Sequence, residues 1–178
     1  MSLSLSRPRA GEWLALLGSV GLTVTLFAAH WYAAPARFRA SLLALGEPVS
    51  ASGWQTFGWL GPLCLLVGLL GIAAFLLAAG CASPAMPVIS VTLLMPLALV
   101  LVLALAVREL VARPALQLPA GAGGPLQTLG GAYLGLGCAL LIALGAWLCL
   151  RRDAVAPGDA PVLIETFRIG PPSPGAEA

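Results

Sequence analysis

The chain runs to 178 residues, 60% of them hydrophobic and 9% charged, with a mean hydropathy of +0.98. A water-soluble domain carries charge at roughly a quarter of its positions, so this composition excludes one and describes a membrane protein. Nine basic residues, all Arg, against seven acidic ones leave a formal charge of +2, too small to recruit nucleic acid.

Four stretches reach the ~20 apolar residues that cross roughly 30 Å of hydrocarbon. The first, Trp13 to Trp31, follows a short polar segment, 1–12, that contains Arg7 and Arg9. Trp13 at one end and His30, Trp31 and Tyr32 at the other stand about 27 Å apart on a helix, the spacing of two interfacial aromatic belts. Its apolar core exceeds the ~7 to 15 residues of a cleavable signal, so an uncleaved helix is expected. Across the loop 32–56, Phe38, Leu42 and Leu45 recur at helical spacing beside Arg37 and Arg39, the pattern of a short helix lying on a membrane surface.

Ser52-Gly53-Trp54-Gln55 fits a capping box, which starts a helix one turn before the second span, Phe57 to Ala79. Gly80 is a natural stop, and Ser83-Pro84 offers a cap and a first-turn proline for the third span, Pro87 to Val107. Pro96 lies inside that span, where it removes a backbone donor and bends the helix. The helix can continue towards Pro114, with Glu109 and Arg113 placed to pair four residues apart as a solvated helix end.

The second long loop, 113–129, contains Pro114, Pro119 and the run Gly121-Ala122-Gly123-Gly124-Pro125. A hairpin there requires alternation on both sides of the turn. Leu126-Gln127-Thr128-Leu129 does not alternate, so a turn-rich, poorly ordered excursion is expected. The fourth span, Gly131 to Leu150, closes on Arg151 and Arg152. Residues 154–178 then have the proline-rich composition of a disordered tail. Within it, Leu163, Ile164, Phe167 and Ile169 form an apolar, β-prone segment suited to adding a strand to a partner's sheet edge.

These elements predict an all-α membrane protein. Its four transmembrane helices, in residues 13–153, form an antiparallel bundle with two long extracytoplasmic loops and a flexible cytoplasmic tail. Both termini share one side of the membrane. Arg7, Arg9, Arg151 and Arg152 flank that side and Arg37, Arg39, Arg108 and Arg113 the other, a tie of four against four under the positive-inside rule. Arg151-Arg152 abuts the last span, which favours cytoplasmic termini in the inner membrane.

Little in the sequence points to reaction chemistry. Cys64, Cys81, Cys138 and Cys149 lie in or at the ends of spans without a C-x-x-C pair, so a disulfide relay is not expected. One histidine, His30, neither brackets a haem nor builds a metal site, and no cofactor is expected. Glu12, Glu47 and Glu109 fall at or beyond span ends, which excludes the intramembrane carboxylate of a proton-coupled transporter. Ser19, Ser90, Thr23, Thr25 and Thr92 have no neighbouring acid or base to activate them. The spans do contain small residues for close helix packing: Gly18, Gly68, Gly71, and the GxxxG of Gly131 and Gly135.

The Trp31-Tyr32 ending of the first span, the Trp54-Gln55-x-Phe57 start of the second, and Gly131-Ala132-Tyr133-Leu134-Gly135-Leu136 leading to Trp147-Leu148 and Arg151 to Asp153 carry a resemblance. Over residues 10 to 153 the chain resembles the uncharacterised small four-span membrane proteins of high-GC bacteria, notably Actinomycetota, a group that implies no established activity. Animal tetraspan junction proteins share the layout but carry a loop cysteine pair that this chain lacks. The expectation is a non-enzymatic multi-pass protein, an accessory or scaffold subunit of a membrane or envelope complex. Beside the lipid bilayer, its partner is another membrane protein or a second copy. The alternative is a passive channel or carrier for small or apolar solutes.

Overall fold

The computed structural model describes residues 10–80, 85–111, 114–117 and 123–153. In chain order these form α1 (Ala10–Ala28), β1 (His30–Ala33), α2 (Ala36–Ala44), β2 (Ser50–Ser52), α3 (Gly53–Thr56), α4 (Leu60–Gly80), α5 (Ala85–Leu110), β3 (Ala115–Gln117), β4 (Gly123–Pro125), β5 (Gln127–Thr128) and α6 (Gly130–Asp153). Helices α1, α4, α5 and α6 are long and apolar enough to cross a membrane.

Each long helix buries one stripe and presents equally apolar residues outward. On α5 the inward stripe is Val91, Leu94, Ala98, Leu101 and Leu105, alternately three and four residues apart, while Leu99, Val100 and Leu103 are exposed. In lipid an outward Leu carries no penalty, so these helices are held together by close fit rather than by hydrophobic contrast. Helix α1 packs on α4 and α6, and α5 packs on the same two. Gly18 lies against the Cys138 carbonyl and Ile142, and Gly11 against Gly145 and Cys149, so α1 and α6 run in opposite directions. Helix α5 continues through Pro96.

At one end of the long helices the two loops meet as a cap. Strand β1 is the centre of a three-stranded sheet ordered β2-β1-β5, antiparallel to both neighbours. His30 pairs with Ser52 and Tyr32 with Ala51, so Trp31 is the extra residue of a bulge opposite β2. A bulge breaks the strict alternation of a strand, and Trp31, Tyr32 and Ala33 are consecutively buried.

The structure corrects several expectations. Helix α1 stops at Ala28, and Trp31 and Tyr32 turn into the protein instead of anchoring at a lipid interface. Trp13, Trp54, Trp59, Tyr133 and Trp147 do stay exposed. The second long loop is not a structureless excursion. Strands β3 and β4 form a hairpin, Ala115 opposite Pro125 and Gln117 opposite Gly123. This pairing was hidden because one strand is Gly-Gly-Pro, which bonds through its backbone and offers no side-chain alternation. The segment that fails to alternate, Gln127-Thr128, pairs elsewhere, with β1.

The capping box at Ser52 is present, the Gln55 side chain accepting from the Ser52 amide at 3.1 Å. It opens only the single-turn α3. Gly58, at φ +51°, adopts the left-handed conformation that breaks the chain between α3 and α4. Helix α2 bears out the helical spacing of Phe38 and Leu42: Leu42 is buried, Phe38 half-buried and Leu45 exposed.

Candidate functional site

The candidate site is the aromatic and polar cluster where the cap meets the ends of α1, α5 and α6. It begins with Trp31. Its indole Nε1 donates to the Thr25 carbonyl at 2.7 Å, in the last turn of α1. Phe57 meets the ring edge-on with centroids 4.7 Å apart. Gly53 and Gly135 lie against its two ends, and at Gly135 a Cβ would overlap the indole. The GxxxG of α6 is therefore filled by the cap: Gly131 receives the His30 backbone and Gly135 the Trp31 ring.

Tyr32 points to the end of α5. Its hydroxyl donates to Glu109 Oε1 at 2.5 Å, a buried hydrogen bond between residues 77 positions apart. Glu109 is only 4% exposed, so it is not the solvated helix end that its spacing from Arg113 implied; Arg113 lies outside the described residues. An acid at the last turn of an apolar helix has a large desolvation cost, and the phenol donor offsets part of it. The adjacent Arg108 donates from Nη2 to the Thr56 carbonyl at 3.1 Å. Two consecutive residues of α5 thus hold the first loop, one through β1 and one through α3. On the cap's outer side, Ser50 Oγ and His30 Nδ1 stand 3.2 Å apart, and Arg39 Nε donates to the Ala34 carbonyl.

Burial, followed by the hydrogen bond and negative charge of Glu109, pushes the Tyr32 phenol well above its ordinary 10.0, and Arg108 offsets part of the shift. The folded chain therefore holds this proton more tightly than the unfolded chain. The resulting stability is fully present below pH 10.0 and is lost as pH rises above it. In an alkaline titration followed by tyrosinate absorbance, one of the chain's two tyrosines is expected to ionise only as the fold is lost. Tyr32→Phe should remove that late phase. Two early, independent ionisations in the wild type would contradict the buried hydrogen bond.

The other packing glycines lie between helices. Gly18 contacts α6, while Gly68 and Gly71 lie against Thr23 and Ser19 of α1. Leu163, Ile164, Phe167 and Ile169 fall outside the described residues. Cys64 and Cys149 are buried and Cys138 is half-buried. Among the described residues no three His, Cys, Asp or Glu side chains cluster as a metal site would require. The pairings of Glu109 with Tyr32 and of Arg108 with Thr56 are not expected from the sequence. A signal was available, since a lone carboxylate at the end of a strongly apolar helix requires a donor. No protein-family model, curated protein or solved structure matches the chain.

Proposed function

We propose that this chain is a non-enzymatic, multi-pass protein of the cytoplasmic membrane, an antiparallel four-helix bundle that serves as an accessory or scaffold subunit of a membrane or envelope complex. Both termini are cytoplasmic, and the cap is the partner-facing surface on the far side. The observation that carries the reading is the use of the buried polar groups beneath the cap. Tyr32 is engaged by Glu109, Arg108 by Thr56 and Trp31 by Thr25. Each ties a loop segment to a helix end, which preorganises a docking surface and lowers the ordering cost of binding. Helix α2 and the residue after it leave Leu43 and Leu45 exposed on that surface. The tail residues Leu163, Ile164, Phe167 and Ile169 would supply a second contact on the opposite side.

The test is co-purification of the tagged full-length chain in a mild detergent. Leu43→Glu with Leu45→Glu, and a chain lacking residues 160–170, are purified in parallel. A companion protein, or a second copy, is expected with the wild type and reduced in at least one variant. A lone monomer from all three preparations sinks the scaffold reading.

A passive channel or carrier is the competing reading, motivated by Pro96 within α5. Against it, a cavity between the four long helices, bounded by Glu12, Ala15, Gly71, Phe75, Val91 and Cys149 among others, has a volume of about 10 Å³, room for roughly one water. Proteoliposomes loaded with small ions or apolar dyes are expected to leak no faster than empty ones; rapid flux would favour the conduit.

A further inference from the structure

A groove of about 440 Å³ runs along the outer face of α5 under Trp59. That volume is within the range of small-molecule sites. It is lined by Trp59, Leu60, Val100, Leu103, Val107 and Arg108, together with Ala104. All of these except Trp59 belong to candidate membrane spans. From Val100 to Arg108 the groove extends over eight helical rises, about 12 Å along the helix axis. It thus starts at the end of the span nearest the cap and reaches into the apolar band.

We infer that this groove is a binding site for one membrane phospholipid with an anionic headgroup. The acyl chain lies along Val100, Leu103 and Val107, and the headgroup phosphate meets Arg108. Position selects the occupant class, because Val100, Leu103, Val107 and Trp59 are exposed at a depth where the surrounding solvent is lipid. Charge selects the headgroup. No carboxylate is among the lining residues, and Glu109 is buried on the side of the helix end that faces Tyr32. The Arg108 guanidinium lines the groove, donates from Nη2 to the Thr56 carbonyl and also faces the Tyr32 hydroxyl, and its Nε is buried without a hydrogen-bond partner among the described residues. A guanidinium at the end of an apolar slot matches an anionic headgroup by its charge and by the N–H donors it turns to the groove. Trp59 stands beside it, at the level where aromatic rings favour the headgroup boundary. The site shares Arg108 with the tie to Thr56 beneath the cap but does not require the cap's partner.

Native mass spectrometry of the full chain, released from detergent after incubation with phosphatidylglycerol or phosphatidylcholine, tests the assignment. One phosphatidylglycerol is expected to be retained about tenfold more strongly than phosphatidylcholine, whose choline cation cancels the headgroup's net charge and is repelled by Arg108. Arg108→Gln should bring retention down to the phosphatidylcholine level, whereas Arg108→Lys keeps much of the preference. Leu103→Trp, which fills the slot, should remove the bound lipid. Leu69→Trp, on an exposed lipid-facing position of α4, should leave it unchanged. Circular dichroism of each variant confirms that the helices persist. Equal retention of the two lipids by the wild type, or retention unaffected by both Arg108→Gln and Leu103→Trp, overturns the site.

Discussion

Trp31→Ala is expected to lower the stability of the detergent-solubilised chain by about 3–5 kcal/mol, the cost of emptying a well-packed large aromatic site. Trp31 is 0% exposed and is enclosed by Phe57, Gly53 and Gly135 from three different parts of the chain. Losing the ring separates all three. The lost hydrogen bond counts for less. The Thr25 carbonyl keeps a second donor, the Ala29 amide at 3.2 Å, so Trp31→Phe, which removes Nε1 and keeps an aromatic ring, should cost only about 0.5–1.5 kcal/mol more than the volume change alone. Trp147→Ala serves as the control. That ring is exposed, with the Arg151 guanidinium 5.5 Å from its centroid, and its removal should stay within about 1 kcal/mol. Thermal unfolding followed by circular dichroism separates the variants. Equal midpoints for Trp31→Ala and Trp147→Ala would mean that the cap contributes nothing to the fold.

The same residue marks where the sequence is legible and where it stops being so. Four spans and the capping box at Ser52 follow from runs and spacings within about twenty residues. Helix α2 follows from the period of Phe38 and Leu42. The cap does not, because its central sheet joins strands of four, three and two residues. Such short strands carry almost no period-two signal. The strand pairs also link positions far apart, Tyr32 with Thr128. Trp31-Tyr32 after an apolar run has the composition of an interfacial belt whether it faces lipid or folds inward, and the bulge that turns it inward leaves no mark in composition. Glu109 shows the same limit. Its i,i+4 relation to Arg113 is visible locally, whereas its donor Tyr32 is 77 positions away. Of the candidate site, the glycines on α6 were visible as small residues, and what fills them was not. GxxxG reports only that something approaches closely; here it is the loop, not a second helix.

The packing of α1 on α4 makes the last expected result, because it sets a buried hydroxyl against a glycine. Ser19 is fully buried in the middle of α1, and its Oγ has no hydrogen-bond partner among the described residues. Thr23, one turn on, bonds back to the Ser19 carbonyl at 2.9 Å. A Cβ at Gly71 would overlap the Ser19 hydroxyl oxygen. Gly71→Ala alone is therefore expected to cost about 1–3 kcal/mol, as overpacking does, outweighing the gain of about 0.5–1 kcal/mol that Ala has over Gly in a helix. Ser19→Ala should stabilise the chain by about 1 kcal/mol, since it removes a desolvated hydroxyl that returns nothing. Combined, the two changes should not add. With the oxygen gone, the nearest atom to the new methyl is the Cβ of residue 19 at 3.1 Å, a contact that a shift of a few tenths of an ångström relieves. Gly71→Ala should then approach neutrality, giving a coupling of about 0.5–3 kcal/mol between the sites. Unfolding midpoints of the four chains in one detergent measure it. Strict additivity would mean that α1 and α4 yield freely at this contact, and that neither glycine nor serine sets their separation.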